Sequence, residues 1–327
     1  MDITSYTMLL VCKLSSLAFC YQDGATDPEK LSKDQMERKV VSLPSPMELA
    51  SYVWFSNACA LGVFFEFSDY KRFIERTNEY KDVPSPILIS LKWLVIGMAS
   101  LGFYIAVLPY FDIEMCFTKE YLEFSYIWRV LYYHIAMTVK RFFYYNPFCM
   151  SGGAVMASGL GYNGNGKFDK IIPVYIYELE TSSSAIEMLR YWNYQVHLWL
   201  KFYIMARLTP VGKRPSGFAN MATFMVSAFW HGFYPTYYFL FFTAGLLSEA
   251  TKDIYKSRSL FSFIPAILRP FFGNFFSMLC LNYCGILQTA LTWEKGFHFF
   301  CATWGLVPIF LMVFLFFSRT FGLVKMV

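Results

Sequence analysis

Four histidines, His134, His197, His231 and His298, and a few amides and carboxylates set in apolar stretches are the groups of this chain that could do chemistry. His231 is the sharpest of them. It sits in "SAFWHGFYP", residues 227–235, within a run from Pro215 to Ser248 that holds no Asp, Glu, Lys or Arg. An ionisable group deep in a bilayer is costly and points to function. Lipid disfavours the imidazolium, so the ring is expected to be neutral near pH 7 and able to take a proton from an alcohol. General-base catalysis of that kind is worth about 10²–10⁴ in rate. The competing reading is a core histidine bonded to a neighbouring carbonyl. The second feature is "RYWNYQVHLWLK", Arg190–Lys201. If the stretch is one helix, Asn193 and His197 share a face, and Trp192 and Trp199 share another. An Asn there can donate to a developing oxyanion or orient an alcohol. The competing reading is an interfacial aromatic helix with its polar side toward water.

Other motifs lead nowhere. "GLGYNG", Gly159–Gly164, matches GxGxxG, and "GYNGNGK", Gly161–Lys167, begins like a phosphate loop. Phe168 stands where a Ser or Thr must ligate magnesium, and no strand–helix alternation surrounds the segment. "VMASGLG" lacks the first Gly of a nucleophile elbow. None of the four histidines has an Asp five positions on, so an HxxxxD pair is absent; the residues found there are Val139, Phe202, Thr236 and Thr303. The cysteines are scattered, form no CxxC, and read as small buried hydrophobes. No His or Cys pair has zinc spacing, so no metal is expected.

The elements that must hold these residues are membrane helices. The 327 residues are 56% hydrophobic and only 16% charged, against about 25% charged in a soluble domain. The net charge of +5 comes from Lys and Arg interleaved with acids, as in Asp27–Lys39, which reads as a solvated loop and makes nucleic acid an unsuitable partner. A spanning helix needs about 20 mainly apolar residues. Strong candidates are Leu49–Phe67, Leu88–Phe111, Phe218–Leu247, Pro270–Trp293 and Phe297–Phe317. Weaker ones are Met8–Tyr21, Phe124–Tyr144 and Ile186–Leu208, whose charges should face the interior, a wet cavity or the interface. Phe148–Lys170, rich in Gly and Ser, is expected to be a re-entrant or tightly packed helix that breaks near Gly159. No cleavable signal peptide is evident, because Lys13 interrupts the first apolar stretch and no basic region precedes it.

Taken together, "KLSSLAFCYQDG" (Lys13–Gly24), "VFFEFSDYKRFIE" (Val63–Glu75), "SGLGYNG" (Ser158–Gly164), "YELE" (Tyr177–Glu180), "YWNYQVHLWLK" (Tyr191–Lys201) and "SAFWHGFYPTYY" (Ser227–Tyr238) resemble the membrane-bound O-acyltransferase (MBOAT) superfamily. Their order and spacing are most similar to its lysophospholipid acyltransferase branch. The resemblance implies an all-α polytopic membrane bundle of roughly eight to ten helices, tilted or re-entrant ones among them, around a transmembrane catalytic chamber. It implies one integral-membrane domain over residues 1–327; because the match begins almost at Met1, where family members usually carry further helices before this point, either a truncated sequence or a reduced fold is expected at the N-terminus.

The implied reaction is acyl transfer from acyl-coenzyme A to the free glycerol hydroxyl of a lysophospholipid such as lysophosphatidylcholine, in phospholipid remodelling at the endoplasmic reticulum. The family's catalytic His falls on His231 and its essential Asn on Asn193. Trp192, His197, Trp230, Tyr234, Tyr162, Asn163 and Glu180 are candidates for shaping the substrate site. No permanently bound cofactor is expected; acyl-coenzyme A is a co-substrate, and the lysophospholipid and the bilayer are the partners. The sequence departs from the family pattern at Val63, Val196 and Thr236, which bears on the shape of the chamber. Two other functions fit the same residues: the same chemistry on a sterol, diacylglycerol or protein acceptor, and a non-catalytic lipid-binding protein in which His231 and Asn193 are packing groups.

Overall fold

The computed structural model describes residues 3–55, 63–257 and 261–321. Among them are 15 α-helices and no strand, in keeping with the all-α expectation. They are α1 (Ile3–Gly24), α2 (Lys33–Arg38), α3 (Pro46–Val53), α4 (Phe67–Ile74), α5 (Ile87–Val107), α6 (Glu120–Glu123), α7 (Tyr126–Ser158), α8 (Ile176–Thr181), α9 (Ala185–Trp192), α10 (Tyr194–Leu200), α11 (Gly217–His231), α12 (Pro235–Lys256), α13 (Arg269–Ala290), α14 (Trp293–Ala302) and α15 (Leu306–Thr320). The segments outnumber the expected eight to ten because several long apolar runs are broken.

The break that matters most lies in the run expected to span as Phe218–Leu247. Gly232 ends α11 at φ +126, a conformation open to Gly but not to a residue with a Cβ, and Pro235 starts α12, where its missing N–H costs nothing. The expected span Ile186–Leu208 divides at Asn193. Phe297–Phe317 divides into α14 and α15, bent by 69°. Among the described residues of Leu49–Phe67, those up to Val53 are helical, 63–66 are not, and Phe67 begins α4; residues 56–62 of that expected span, Cys59 among them, lie outside the described residues. Among the described residues, two helices, α5 and α13, are each long and apolar enough to cross a membrane, and α14 with α15 would make a third if the bent pair is one span. The helix expected to break near Gly159 does so: α7 ends at Ser158, and Gly159 takes φ +88.

The described residues form two compact units. The first comprises residues 1–102, 143–175 and 193–215; the second comprises 103–142, 176–192 and 216–327. In the second, α12 is the central element and packs on α11, α13 and α15. Its buried side chains Leu240, Thr243, Ala244, Leu247 and Ser248 recur at helical spacing. Small residues let the backbones approach: a Cβ on Gly245 would come within 2.9 Å of the Met221 thioether.

In the first unit α1 packs against α2 and α10. Lys13, in the middle of α1, is only 1% exposed. Its ammonium donates to the Tyr52 carbonyl at 2.8 Å and the Val53 carbonyl at 3.3 Å, the last carbonyls of α3, and lies 4.4 Å from the centre of the Phe65 ring. A cation at a helix C-terminus is favourable, and here it accounts for a lysine in an apolar helix. Lys13→Met is expected to destabilise the detergent-solubilised chain by about 2 kcal/mol, the scale of a charged hydrogen bond left unmade. Thermal unfolding measures this, and an unchanged midpoint would remove Lys13 from the stabilising contacts.

Candidate active site

Each unit carries one of the two principal candidates. In the second, His231 is the last residue of α11, immediately before the Gly232 turn. The ring is enclosed by aromatic groups, with the Trp230, Phe241 and Tyr237 ring centres at 4.8, 4.9 and 5.6 Å. The walls are therefore apolar, and no hydrogen bond to a described residue engages either ring nitrogen. The core-histidine alternative, a ring tied to a carbonyl, is not what the described residues present. Tyr234 caps the start of α12 and is 49% exposed, and its ring lies against Tyr237.

The departure at Thr236 has a structural counterpart. Thr236 is 1% exposed and its methyl group lies against Gly296 of α14, where a Cβ would come within 2.6 Å of it. Gly296 thus opens the space that the larger residue needs. The Thr236 hydroxyl is buried without a hydrogen-bond partner among the described residues.

Glu180, at the end of α8, belongs to a network that sequence reasoning missed. Arg141 of α7, 2% exposed, donates from Nε to one Glu180 carboxylate oxygen at 3.0 Å and from a terminal nitrogen to the other at 2.8 Å. It also donates to the side-chain oxygen of Asn282 on α13. The Asn282 amide in turn donates to the His134 carbonyl at 2.9 Å and the Thr138 hydroxyl at 3.1 Å, and lies 3.1 Å from Nδ1 of His134. A bidentate Arg–carboxylate pair of this kind is geometrically demanding. His134 is held inside this network. The only sequence signal was the presence of Arg and His within an apolar helix.

In the first unit Asn193 occupies the cap position before α10, with φ −131 and ψ 79. That backbone is not helical, so Arg190–Lys201 is not one helix and the face-sharing expectation changes. Trp192 ends α9, on the far side of the break from Trp199, and His197 sits one turn into α10. The start of α10 is tied down twice: the Tyr194 N–H donates to the Pro173 carbonyl at 2.9 Å, and the Gln195 side chain donates to the Ile172 carbonyl at 3.2 Å. Asn193 itself is half-buried, and no hydrogen bond to a described residue engages its amide. Its donors are thus available in a fixed place. The His197 ring stacks on Tyr194 at 6.4 Å.

Tyr162 and Asn163 build the Gly-rich turn. The Asn163 side chain donates to Asp169 at 2.6 Å and accepts from the Asn165 N–H at 2.8 Å. The Tyr162 hydroxyl accepts from the Gly166 N–H at 3.3 Å. Their polar atoms close the loop on itself.

Comparison with known proteins bears on this arrangement. The chain is 29% identical over 300 residues to lysophospholipid acyltransferase 1 of Arabidopsis thaliana, covering 87% of this chain and 65% of that protein. It is 29% identical over 296 residues to the lysophospholipid acyltransferase of Saccharomyces cerevisiae, covering 82% and 47%. It is 26% identical over 294 residues to membrane-bound glycerophospholipid O-acyltransferase 2 of Homo sapiens, covering 83% and 55%. The chain thus spans less than two thirds of the length of these relatives. Residues 1–293 match the family model described as MBOAT, membrane-bound O-acyltransferase family. With that match over most of its length, the chain belongs to the membrane-bound O-acyltransferase family.

Proposed function

We propose that the chain acylates lysophospholipids with acyl-coenzyme A, in membranes of the endoplasmic reticulum. Its relatives bear the names of lysophospholipid acyltransferases, which supports this acceptor over a sterol, diacylglycerol or protein. The observation that carries the reading is the state of His231: an imidazole walled by Trp230, Tyr237 and Phe241, with no hydrogen bond to another described residue. Such a ring is available to a substrate hydroxyl.

The chemistry balances simply. His231 takes the proton from the glycerol hydroxyl while its oxygen attacks the thioester carbonyl. A C–O bond forms, the C–S bond breaks, and the proton passes to the departing coenzyme A thiolate. Asn193 donates to the carbonyl oxygen as negative charge develops. A dry site protects the thioester from hydrolysis. No covalent enzyme intermediate is needed.

The test uses membranes that carry the full chain, labelled oleoyl-coenzyme A, and a panel of lysophosphatidylcholine, lysophosphatidylethanolamine, a sterol and diacylglycerol. Label is expected in diacyl phospholipid. Label in the sterol or in triacylglycerol would move the enzyme to another acceptor. If the purified chain binds lysolipid but never consumes the thioester, the acyltransferase reading fails and lipid binding replaces it.

A further inference from the structure

A cavity of about 200 Å³ opens within the first unit. Its lining mixes the cations Arg38, Arg72 and Lys170 with the carboxylates Glu37, Glu66 and Asp69, between aromatic walls that include Phe64, Phe65 and Phe202. Three charges of each sign leave the lining formally neutral. The cations are arrayed in two groups. Lys170 and Arg72 share Asp69 and Glu79, with Lys170 2.9 Å from Asp69 and Arg72 3.3 Å from Glu79. Arg38 lies 3.5 Å from Glu66, with its guanidinium 3.8 Å over the Phe202 ring.

Glu66 is the unusual member. It is 9% exposed and accepts a 2.6 Å hydrogen bond from the Tyr203 hydroxyl. Tyr203 belongs to the π-helical turn Lys201–Met205 that follows α10, and such turns gather at functional sites. The cavity is also tied to the candidate site by α10 itself. Gln195 and Leu198 line it, and they lie about 3 Å and 8 Å along the helix axis from Asn193 at 1.5 Å per residue.

We infer that this cavity holds the headgroup of the lysolipid, and that it is built for a zwitterion: a phosphodiester joined to an ammonium, as in phosphocholine and phosphoethanolamine. The inference rests on the acyltransferase reading. A net-neutral lining whose cations and carboxylates stand in two paired groups, Lys170 and Arg72 with Asp69 and Glu79, and Arg38 with Glu66, can exchange its ion pairs for the two charges of a dipolar guest, whereas a purely anionic guest would find as many carboxylates as cations. The phosphodiester meets Arg72 and Lys170, which are suited to phosphate oxygens. The ammonium meets Glu66 and Glu37 in exchange for the Arg38 guanidinium, which otherwise lies 3.5 Å from Glu66 and over the Phe202 ring; aromatic faces there favour alkylated ammonium groups. In a lysolipid, only a few covalent bonds separate the acceptor hydroxyl from the phosphorus, which matches the short stretch of α10 between Asn193 and the cavity.

The state of Glu66 supplies a second readout. Burial pushes its carboxyl up to about 7, against the opposing pull of the Tyr203 hydrogen bond and the Arg38 guanidinium, while Asp69 adds to the rise. The charged and titratable groups around it are Tyr203, Arg38, Asp69, Tyr52 and Cys20, and the cavity adds Glu37, Arg72 and Lys170. Phosphocholine does not titrate between pH 6 and 8. An arriving ammonium favours the ionised carboxylate, so binding tightens as pH rises through 7 and Glu66 loses its proton.

The experiment measures KM of the full chain for lysophosphatidylcholine and for lysophosphatidate, with oleoyl-coenzyme A fixed, from pH 6 to 8. It compares native protein with Glu66→Gln and Glu37→Gln, and gel filtration in detergent verifies folding. The native KM for lysophosphatidylcholine is expected to fall with rising pH. Glu66→Gln is expected to raise it about 10-fold at pH 8, equivalent to about 1.4 kcal/mol, to flatten its pH dependence, and to leave the KM for lysophosphatidate little changed. If Glu66→Gln does not fold, Glu37→Gln is read for the same change in the ratio of the two KM values. An unchanged ratio in the folded variants overturns the headgroup assignment while leaving the acyltransferase reading in place. If the native chain acylates nothing, that reading falls instead. Calorimetric titration of native and variant protein with glycerophosphocholine then decides the cavity: weaker binding in the variant supports it, and equal or absent binding overturns it.

Discussion

His231→Ala is expected to lower acyl transfer by about 10²–10⁴, the scale of a lost general base, with little effect on stability. The ring makes aromatic contacts but no hydrogen bond to a described residue, so its loss orphans no partner. The stability cost is that of removing a partly buried ring at a helix end. The diagnostic pattern is a fall in kcat with KM for both substrates nearly unchanged, since the proton is taken only as the bond forms. Asn193→Ala is expected to cost about 10²–10³, as for removal of a single oxyanion donor. The double variant is informative beyond either: two groups that serve one transition state give less than the product of their separate losses. Full activity in His231→Ala, with the folded protein present in normal amount, would end the general-base mechanism.

Arg141→Met is expected to destabilise the chain by about 3 kcal/mol, the low end of the range for breaking a buried ion pair. Arg141 is almost fully buried, whereas the Glu180 side chain is 28% exposed, so water can solvate part of the carboxylate left behind and moderate the cost. The Asn282 oxygen, however, loses its charged donor and has no comparable relief. Replacing Arg141 and Glu180 together by Met removes both charges and is expected to recover part of the loss. Thermal unfolding in detergent reads both results. A midpoint unchanged by Arg141→Met would show that the pair contributes nothing net to stability.

The sequence revealed the long apolar helices and the family more readily than the contacts between elements. Leu88–Phe111 and Pro270–Trp293 were legible as spans because hydropathy is a local property, and they appear as Ile87–Val107 and Arg269–Ala290. The end of a helix near Gly159 was legible from its cluster of small residues. The break after His231 carried its own local signal, Gly232 followed closely by Pro235, but the unbroken apolar run on either side outweighed it. The cap at Asn193 was hidden for a related reason: apolar periodicity continues through a residue whose backbone leaves the helix. Arg141, Glu180 and Asn282 could not be paired from the sequence, because the partners lie 39 and 141 residues apart. Lys13 likewise reads as an interruption of an apolar stretch until the carbonyls of Tyr52 and Val53 are placed beside it. The cavity of the first unit is assembled from four separate stretches of chain, which nothing in the sequence brings together.

The 33 residues of α7 give it a length of about 50 Å. The hydrocarbon slab of a bilayer is about 30 Å thick. If α7 crosses the membrane, only a tilt above about 50° would keep it wholly within the acyl region, beyond the roughly 0–40° found for spanning helices. An overhang into the headgroup layer is the natural consequence. Tyr126, Trp128 and Arg129 at one end have the amphipathic character that anchors a helix at that boundary, while the other end runs into the Gly-rich turn with its polar Asn163 and Lys167. The same rod that carries Arg141 would thereby register the protein's depth against the thickness of its host membrane.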